Sequence, residues 1–364
     1  MNVLFIAPLP PPLAGHSLAA KVFYDHLSTK HNVTVVNFNK TSFKEGFSSF
    51  NRIFEVLGIL WKIAKVYKTA DVIYITISES FAGNIKDLLT YAICSKKIDR
   101  FYVHLHGGSI KRLLWDKYPL LHRINKYFLK QIAGVIISGE SHKEVFDQFV
   151  VPNKIHTIPN FALDYLFAES EQIINKFSTI GPIRVLYMSN MIDKKGYDQL
   201  ASAYIKLPKA LQQQIIIDFA GRFELDIQKE RFENKIKDYP GLTYHGVVDD
   251  TQKQQLFFQS HVFALPTSYF EGQPISILEA YAAGCAVITT GQSGILDIFK
   301  DGVNGIQMGD GLSDAINSTL IKMIDQKNRL SSIGLKNAVL AKQLYRIPIY
   351  ARSLTSVLEL SVAQ

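Results

Sequence analysis

From one end to the other, the chain alternates short apolar runs rich in β-branched residues with longer stretches whose apolar residues recur at helical spacing. In the first half the runs are NVLFIAP, NVTVVNF, DVIYITIS, RFYVHLHG, AGVIISG and KIHTIPN. In the second they are IRVLYMSN, QIIIDFAG, LTYHGVV, HVFALPT, CAVITT and NGIQM. Strands that are apolar nearly throughout, with helices between them, belong to parallel sheets covered on both faces. At 364 residues the chain is long enough for two domains. The expected fold is therefore α/β, with two doubly wound domains. Residues from Asn160 to Pro182 lack a strand period and end in Gly-Pro, so the interdomain linker is expected there.

Several classes are excluded early. The chain is 47% hydrophobic and 20% charged, unlike a disordered or collagen-like sequence. Two cysteines, Cys94 and Cys285, are too few for a disulfide scaffold or a four-cysteine zinc site. Cys285 lies in the apolar run YAAGCAVITT and reads as a buried, inert thiol. No targeting segment is seen, and no apolar stretch approaches the ~20 residues of a membrane span. A cytoplasmic protein is expected. Of 40 Lys and Arg and 32 Asp and Glu, residues 1–165 hold 20 and 12, so the first half carries the whole net charge of +8. Such an imbalance bears on partners, and it points to an anionic surface.

In open α/β sheets, ligands bind beyond the carboxyl ends of the strands. The strand-exit loops hold no GxGxxG and no GxxxxGK[ST], which disfavours a nicotinamide cofactor or a P-loop nucleotide. The most informative stretch is PTSYFEGQPISILEAYAAG. Pro274 suits the first turn of a helix running to Ala282, and Gly272 permits close backbone approach. Free N–H groups near Gln273, Ile275 and Ser276 would cradle a phosphate. Glu271 lies just outside this helix start, and Glu279 about a turn and a half inside. By spacing alone, Glu271 is equally a helix-start charge and Glu279 a solvated helix position. Carboxylates also accept hydrogen bonds from vicinal hydroxyls, so the pair would suit a nucleotide sugar with its diphosphate on the main-chain amides.

PTSYFEGQPISILEAYAAGCAVITT resembles the signature of the retaining family 4 glycosyltransferases, the group 1 glycosyltransferases: a Glu, seven residues, a second Glu, an Ala-rich helix, Gly and a strand. PPPLAGHS, HLHGG, HTIPN, MSNMIDKKG and GILDIFKDGVNGI fall in the family's order around it. The resemblance implies two facing Rossmann-like domains (the GT-B fold) with an interdomain cleft. Residues 1–165 would form the acceptor-binding domain and 166–345 the nucleotide-sugar domain, with a terminal helix over 346–364 crossing back. It implies transfer with retention and without metal or other cofactor. On this resemblance, Glu279 binds the ribose hydroxyls, Glu271 the transferred sugar and Lys195 the diphosphate, where a cation offsets leaving-group charge. His106, followed by two glycines, faces the sugar; His104 is structural. Gly15 approaches the diphosphate or the acceptor. Where many members carry an arginine ahead of that lysine, this chain has Asn190; either such serine-asparagine variants do without the charge, or another cation serves, with Arg222 and Lys194 as candidates.

Two N-terminal segments concentrate positive charge and aromatic residues. FNRIFEVLGILWKIAKVYK holds Arg52, Lys62, Lys65 and Lys68 with Phe54 and Trp61, and SIKRLLWDKYPLLHRINKYFLK holds Lys111, Arg112 and Trp115. Either segment alone reads equally as a crossover helix with solvated lysines. Confinement of the net charge to this half favours docking through residues 50–68 and 110–130 on an anionic membrane surface. Together these readings give a peripheral enzyme at the inner face of the cell membrane. It would use a UDP-, GDP- or ADP-sugar to extend a lipid-linked or polysaccharide acceptor in surface polysaccharide or lipopolysaccharide synthesis. No nucleic acid partner is expected. The competing readings are an inactive sugar-binding or membrane-scaffolding relative and a GT-B nucleotide-sugar epimerase.

Overall fold

The structure, a computed structural model, describes residues 1–11, 14–38, 49–178, 181–309 and 312–360, with the backbone alone for 49–53. It divides into two units. The first comprises Met1–Asn160, the short segment Glu271–Gln273 and the C-terminal stretch from Pro348; the second comprises Phe161–Phe270 and Pro274–Ile347.

In the first unit the chain runs β1 (Asn2–Ala7), α1 (Gly15–Ser28), β2 (Asn32–Asn37), α2 (Ser49–Val66), β3 (Val72–Thr76) and α3 (Phe81–Ile93). It continues through β4 (Phe101–Leu105), α4 (Pro119–Leu129), β5 (Gly134–Ile137), α5 (Lys143–Phe146) and β6 (Ile155–Thr157). The six strands form one parallel sheet in the order β2-β1-β3-β4-β5-β6. β3, β4 and β5 are buried at every residue, which explains why their sequences are apolar but for Thr76 and His104. The strand order reverses between β1 and β3, so their exit loops mark this unit's ligand end.

The second unit contains α6 (Ser170–Ser178), β7 (Ile183–Met188), α7 (Tyr197–Ile205), α8 (Lys209–Gln212), β8 (Ile215–Ala220), α9 (Asp226–Ile236) and β9 (Leu242–Tyr244). After these come α10 (Asp250–Gln259), β10 (Val262–Leu265), α11 (Ile275–Ala282), β11 (Ala286–Thr290), β12 (Gly305–Met308), α12 (Ser313–Asp325) and α13 (Leu330–Leu344). A final helix, α14 (Ile347–Leu360), belongs to the first unit from Pro348 onward. The sheet order β12-β11-β10-β7-β8-β9 is the doubly wound Rossmann arrangement, and it reverses between β7 and β10. The twelve runs read in the sequence are the twelve strands of these two Rossmann-like domains.

The stretch without strand period is not a bare linker. It carries α6, whose Ile173 and Phe177 are buried in the second unit's core. Both cysteines are buried. Among the described residues, no helix is long and apolar enough to cross a membrane.

Candidate nucleotide-sugar site

The second unit's reversal point gathers the loops that follow β7 and β10. After β7 the chain turns through Asp193–Lys195 to Gly196, whose φ of +82° is a left-handed conformation that suits glycine. A Cβ at Gly196 would lie 2.2 Å from the carbonyl oxygen of Pro266, so the glycine also lets this loop close on the β10 exit. The two loops are joined there. The N–H groups of Ser268 and Tyr269 donate to the Lys194 carbonyl at 2.7 and 3.1 Å. Lys195 is half-buried, with Nζ 5.7 Å from the centre of the Tyr269 ring, whereas Lys194 is exposed.

Asn190 is also exposed on the β7 exit. Next to it, the Met191 N–H donates to the Arg222 carbonyl at 2.9 Å, which puts Arg222 in the neighbouring strand-exit loop. Arg222 is exposed.

α11 is capped by Pro274, and its first turn leaves the N–H groups of Ile275 and Ser276 without intrahelical acceptors. From Ile277 to Ala282 every residue is buried, as expected for a helix apolar on all sides. Glu279 is therefore not the solvated position that spacing alone allows; it is 3% exposed. Lys253 of α10 donates to its Oε1 at 2.6 Å. Burial raises the Glu279 carboxyl above its ordinary value and Asp250 adds to this, while the Lys253 charge opposes both. Beside this pair, the Tyr165 hydroxyl donates to Asp250 Oδ1 at 2.7 Å. Lys253 was not among the sequence candidates: a lysine twenty-six residues from its partner carries no local signal.

In the first unit, the exits of β1, β3 and β4 place Gly15, Glu79 and His106 at one end of the sheet. Gly15 is the first residue of α1. The His106 ring lies against that of His104, tilted by 34° with ring centres 3.9 Å apart, and the Tyr74 hydroxyl is 2.6 Å from His104 Nδ1. Burial, with His104 and His16 nearby, holds the His106 imidazole well below the usual histidine range, and burial takes His104 down to about 3. Burial thus favours the neutral form of both rings. Neither ring nitrogen of His106 has a hydrogen-bond partner among the described residues, although both atoms are buried.

Glu79 escaped the sequence reading. It accepts the Ser109 N–H at 2.6 Å and that of Ile110, so it fixes the glycine turn that follows His106. Its only sequence signal was an acid at a strand exit.

The segment Glu271–Gln273 packs within the first unit. Glu271 is 8% exposed. A Cβ on Gly272 would fall 2.1 Å from the His106 carbonyl oxygen, so only glycine fits this approach. Gln273 is committed to the fold: its Oε1 accepts from the Asn160 N–H at 2.5 Å, and its Nε2 donates to the Ser138 carbonyl at 3.1 Å. Asn160 Nδ2 donates to its carbonyl at 2.9 Å. The Gln273 side chain is thus no ligand group; the bonds leave its main-chain N–H uninvolved.

Of the residues assigned to membrane contact, Lys62 and Lys65 are exposed on α2, Arg112 is exposed and Lys111 half-buried. Lys65 Nζ lies 3.5 Å from the centre of the Trp61 ring. The Arg52 side chain lies outside the described residues. Trp115 needs correction: it is 2% exposed and packs edge-on against Phe149 and Phe146, at 4.6 and 5.8 Å between ring centres. Its segment turns the tryptophan inward, so Trp115 is a core residue and not a surface anchor.

Residues 170–338 match the model of the family "Glycosyl transferases group 1". Over 348 residues the chain is 23% identical to an uncharacterized glycosyltransferase of Methanocaldococcus jannaschii, covering 87% of this chain and 88% of that protein. In fold it is similar to Anabaena HepE solved with UDP and glucose, with a TM-score of 0.76 at 16% identity over 99% of this chain and 100% of that one. It is similar also to the sucrose-phosphate synthase of Thermosynechococcus elongatus, with a TM-score of 0.74 at 13% identity over 100% and 99% of the two chains. With its strand order, its loop Lys195-Gly196 and its Glu271–Glu279 spacing, the chain is similar to the group 1 glycosyltransferases over residues 170–338 and shares its two-domain fold with the solved relatives.

Proposed function

We propose that the protein transfers a sugar, with retention and without a metal ion, from a nucleotide-diphosphate sugar to a lipid-linked or polysaccharide acceptor. The observation that carries this reading is the second unit's reversal point. There a half-buried lysine stands on the loop that closes against the β10 exit, and α11 begins with open N–H groups backed by a buried carboxylate. This combination of donors and cation suits a diphosphate. The similar Anabaena protein was solved with UDP and glucose and with UDP-glucose, which supports a UDP-sugar as the donor.

In the proposed reaction the acceptor hydroxyl attacks the anomeric carbon on the face from which the diphosphate departs. The bond from that carbon to the phosphate oxygen breaks, and the departing oxygen takes the acceptor's proton. The products are the glycoside and the nucleoside diphosphate. Lys195 and the amides of Ile275 and Ser276 stabilise charge on the leaving group. Arg222, beside the position of Asn190, is the cation that compensates for the missing arginine. Glu279 accepts from ribose hydroxyls through the carboxylate oxygen that Lys253 leaves open, and Glu271 accepts from the sugar. His106, neutral and with unpartnered nitrogens, exchanges hydrogen bonds with sugar hydroxyls without titrating. Such a protein would serve surface polysaccharide or lipopolysaccharide synthesis at the inner face of the cell membrane, held there by residues 50–68 and 110–130.

A thermal-shift panel of UDP-, GDP- and ADP-sugars tests the donor. One nucleotide class at 100 times its dissociation constant stabilises the native state by about 2.7 kcal/mol. No stabilisation by any of the three would reject the reading.

A further inference from the structure

The helix α3 buries Leu88 and Tyr91 in the core and yet is apolar on its outer face as well. Its exposed residues are Phe81, Ala82, Ile85, Leu89 and Ala92, all apolar. Its polar residues Asn84, Asp87 and Thr90 are buried. Asn84 and Asn125 of α4 exchange amide hydrogen bonds at 3.2 and 2.8 Å, and Asp87 accepts from the Ser78 N–H at 2.7 Å. The one cation of the helix, Lys86, is drawn inward too, with Nζ 3.3 Å from Asp87 and its side chain 11% exposed. A crossover helix in an α/β unit normally turns its apolar stripe to the sheet and its charges to water. Here Phe81, Ile85 and Leu89 form a second stripe at a spacing of four, pointing out at 50, 37 and 45% exposure.

The helices on either side extend this surface. α2 packs beside α3 and shows Phe54, Leu57 and Trp61 at 53–69% exposure. α4 packs on the other side, and Tyr118 at its start lies edge-on to Phe81 with ring centres 5.0 Å apart. Apart from the half-buried Glu55 near the start of α2, the charges on these two flanking helices are positive. α4 carries Arg123 and Lys126 with no acid, followed by Lys130, and the last turns of α2 carry Lys62 and Lys65, followed by Lys68. An uncharged apolar centre between cationic flanks is complementary to a bilayer with anionic headgroups. A second copy on the same face would set like charges against each other.

We propose that α3 is the element that inserts into an anionic lipid surface, with Ile85 and Leu89 below the headgroups and the lysines and arginines of α2 and α4 among them. This rests on the membrane-docking part of the reading above and adds the inserting helix, which lies outside the two basic segments.

Flotation of the full chain with phosphatidylglycerol-containing vesicles and with pure phosphatidylcholine vesicles tests it. The double variant Ile85→Ser, Leu89→Ser should melt like the wild type, keep its response to UDP, and lose on the order of tenfold or more in partition to anionic vesicles. Because Cys94 and Cys285 are buried, an environment-sensitive fluorophore on Leu89→Cys reports this site alone. Its emission should shift to the blue with anionic vesicles, whereas the same label on Val339→Cys, exposed in the second unit, should not shift. Wild-type partition by the double variant overturns the role of α3 and leaves membrane docking standing. Absence of wild-type binding to anionic vesicles overturns both. A concentration-dependent dimer that the double variant abolishes, with vesicle binding unchanged, gives the face to a second copy.

Discussion

Replacing Lys253 with methionine isolates the electrostatics behind the proposed ribose-binding carboxylate. Lys253 and Glu279 are 2.6 Å apart, with side chains 17% and 3% exposed. Removing the lysine strands a carboxylate in the core, and breaking such a pair costs about 3–5 kcal/mol. The sign with pH follows from the direction of the shift. Burial already raises the Glu279 carboxyl above 4.5, and the lysine is what opposes it. A carboxyl raised in the folded state gives its full stability contribution below its unfolded value and loses it as pH rises through the folded value. Lys253→Met raises the folded value further, so the variant should be nearly as stable as the wild type at pH 4.5 and fall behind increasingly above it. At pH 8 the deficit should lower the melting temperature by roughly 6 °C or more, at 2–4 °C per kcal/mol for a unit of this size. Scanning calorimetry at pH 5, 6.5 and 8 measures it. Lys253→Met with Glu279→Gln should recover most of the loss and remove its pH dependence. A deficit equal at pH 5 and pH 8, or below about 1 kcal/mol, would show that the pair is screened by solvent and refute the reasoning.

Other outcomes follow from single contacts. Lys195→Ala should cut kcat on the order of 10²–10³-fold while the melting temperature holds, as expected when a leaving-group contact is lost; a change confined to KM would contradict that role. Gly272→Ala places a Cβ 2.1 Å from the His106 carbonyl oxygen and should reduce turnover without unfolding the protein, read by steady-state kinetics beside a melting curve. Trp115→Ala should cost about 3–5 kcal/mol by leaving a cavity against Phe146 and Phe149, with vesicle partition unchanged when assayed below the lowered melting point.

How far the sequence reveals this protein depends on what each signal encodes. Most of the strands are visible because strands buried on both faces must be apolar nearly throughout, as β3, β4 and β10 are. The loops around Lys195 and Glu271 stand out because turns, glycines and a helix start leave local marks. Orientation leaves no such mark. Periodicity gives a helix two faces without saying which one meets the sheet, so Trp115 reads as a surface anchor and is buried. In α3 polar residues lie inward beside Leu88 and Tyr91, because Asn84 and Asp87 find partners in Asn125 and Ser78, and apolar residues are left outside. Pairings remote in sequence are equally silent: Lys253 with Glu279 and Glu79 with Ser109 become evident only when the sheets bring their loops together.

Mass-spectrometric detection of transfer from UDP-, GDP- and ADP-sugars to a membrane extract tests the central claim most directly. One donor should yield a glycosylated product with its anomeric configuration retained, and Glu271→Ala should abolish that product while the variant stays folded. Nucleotide sugar left unconsumed in all three reactions, or a product unaffected by Glu271→Ala, would contradict the account.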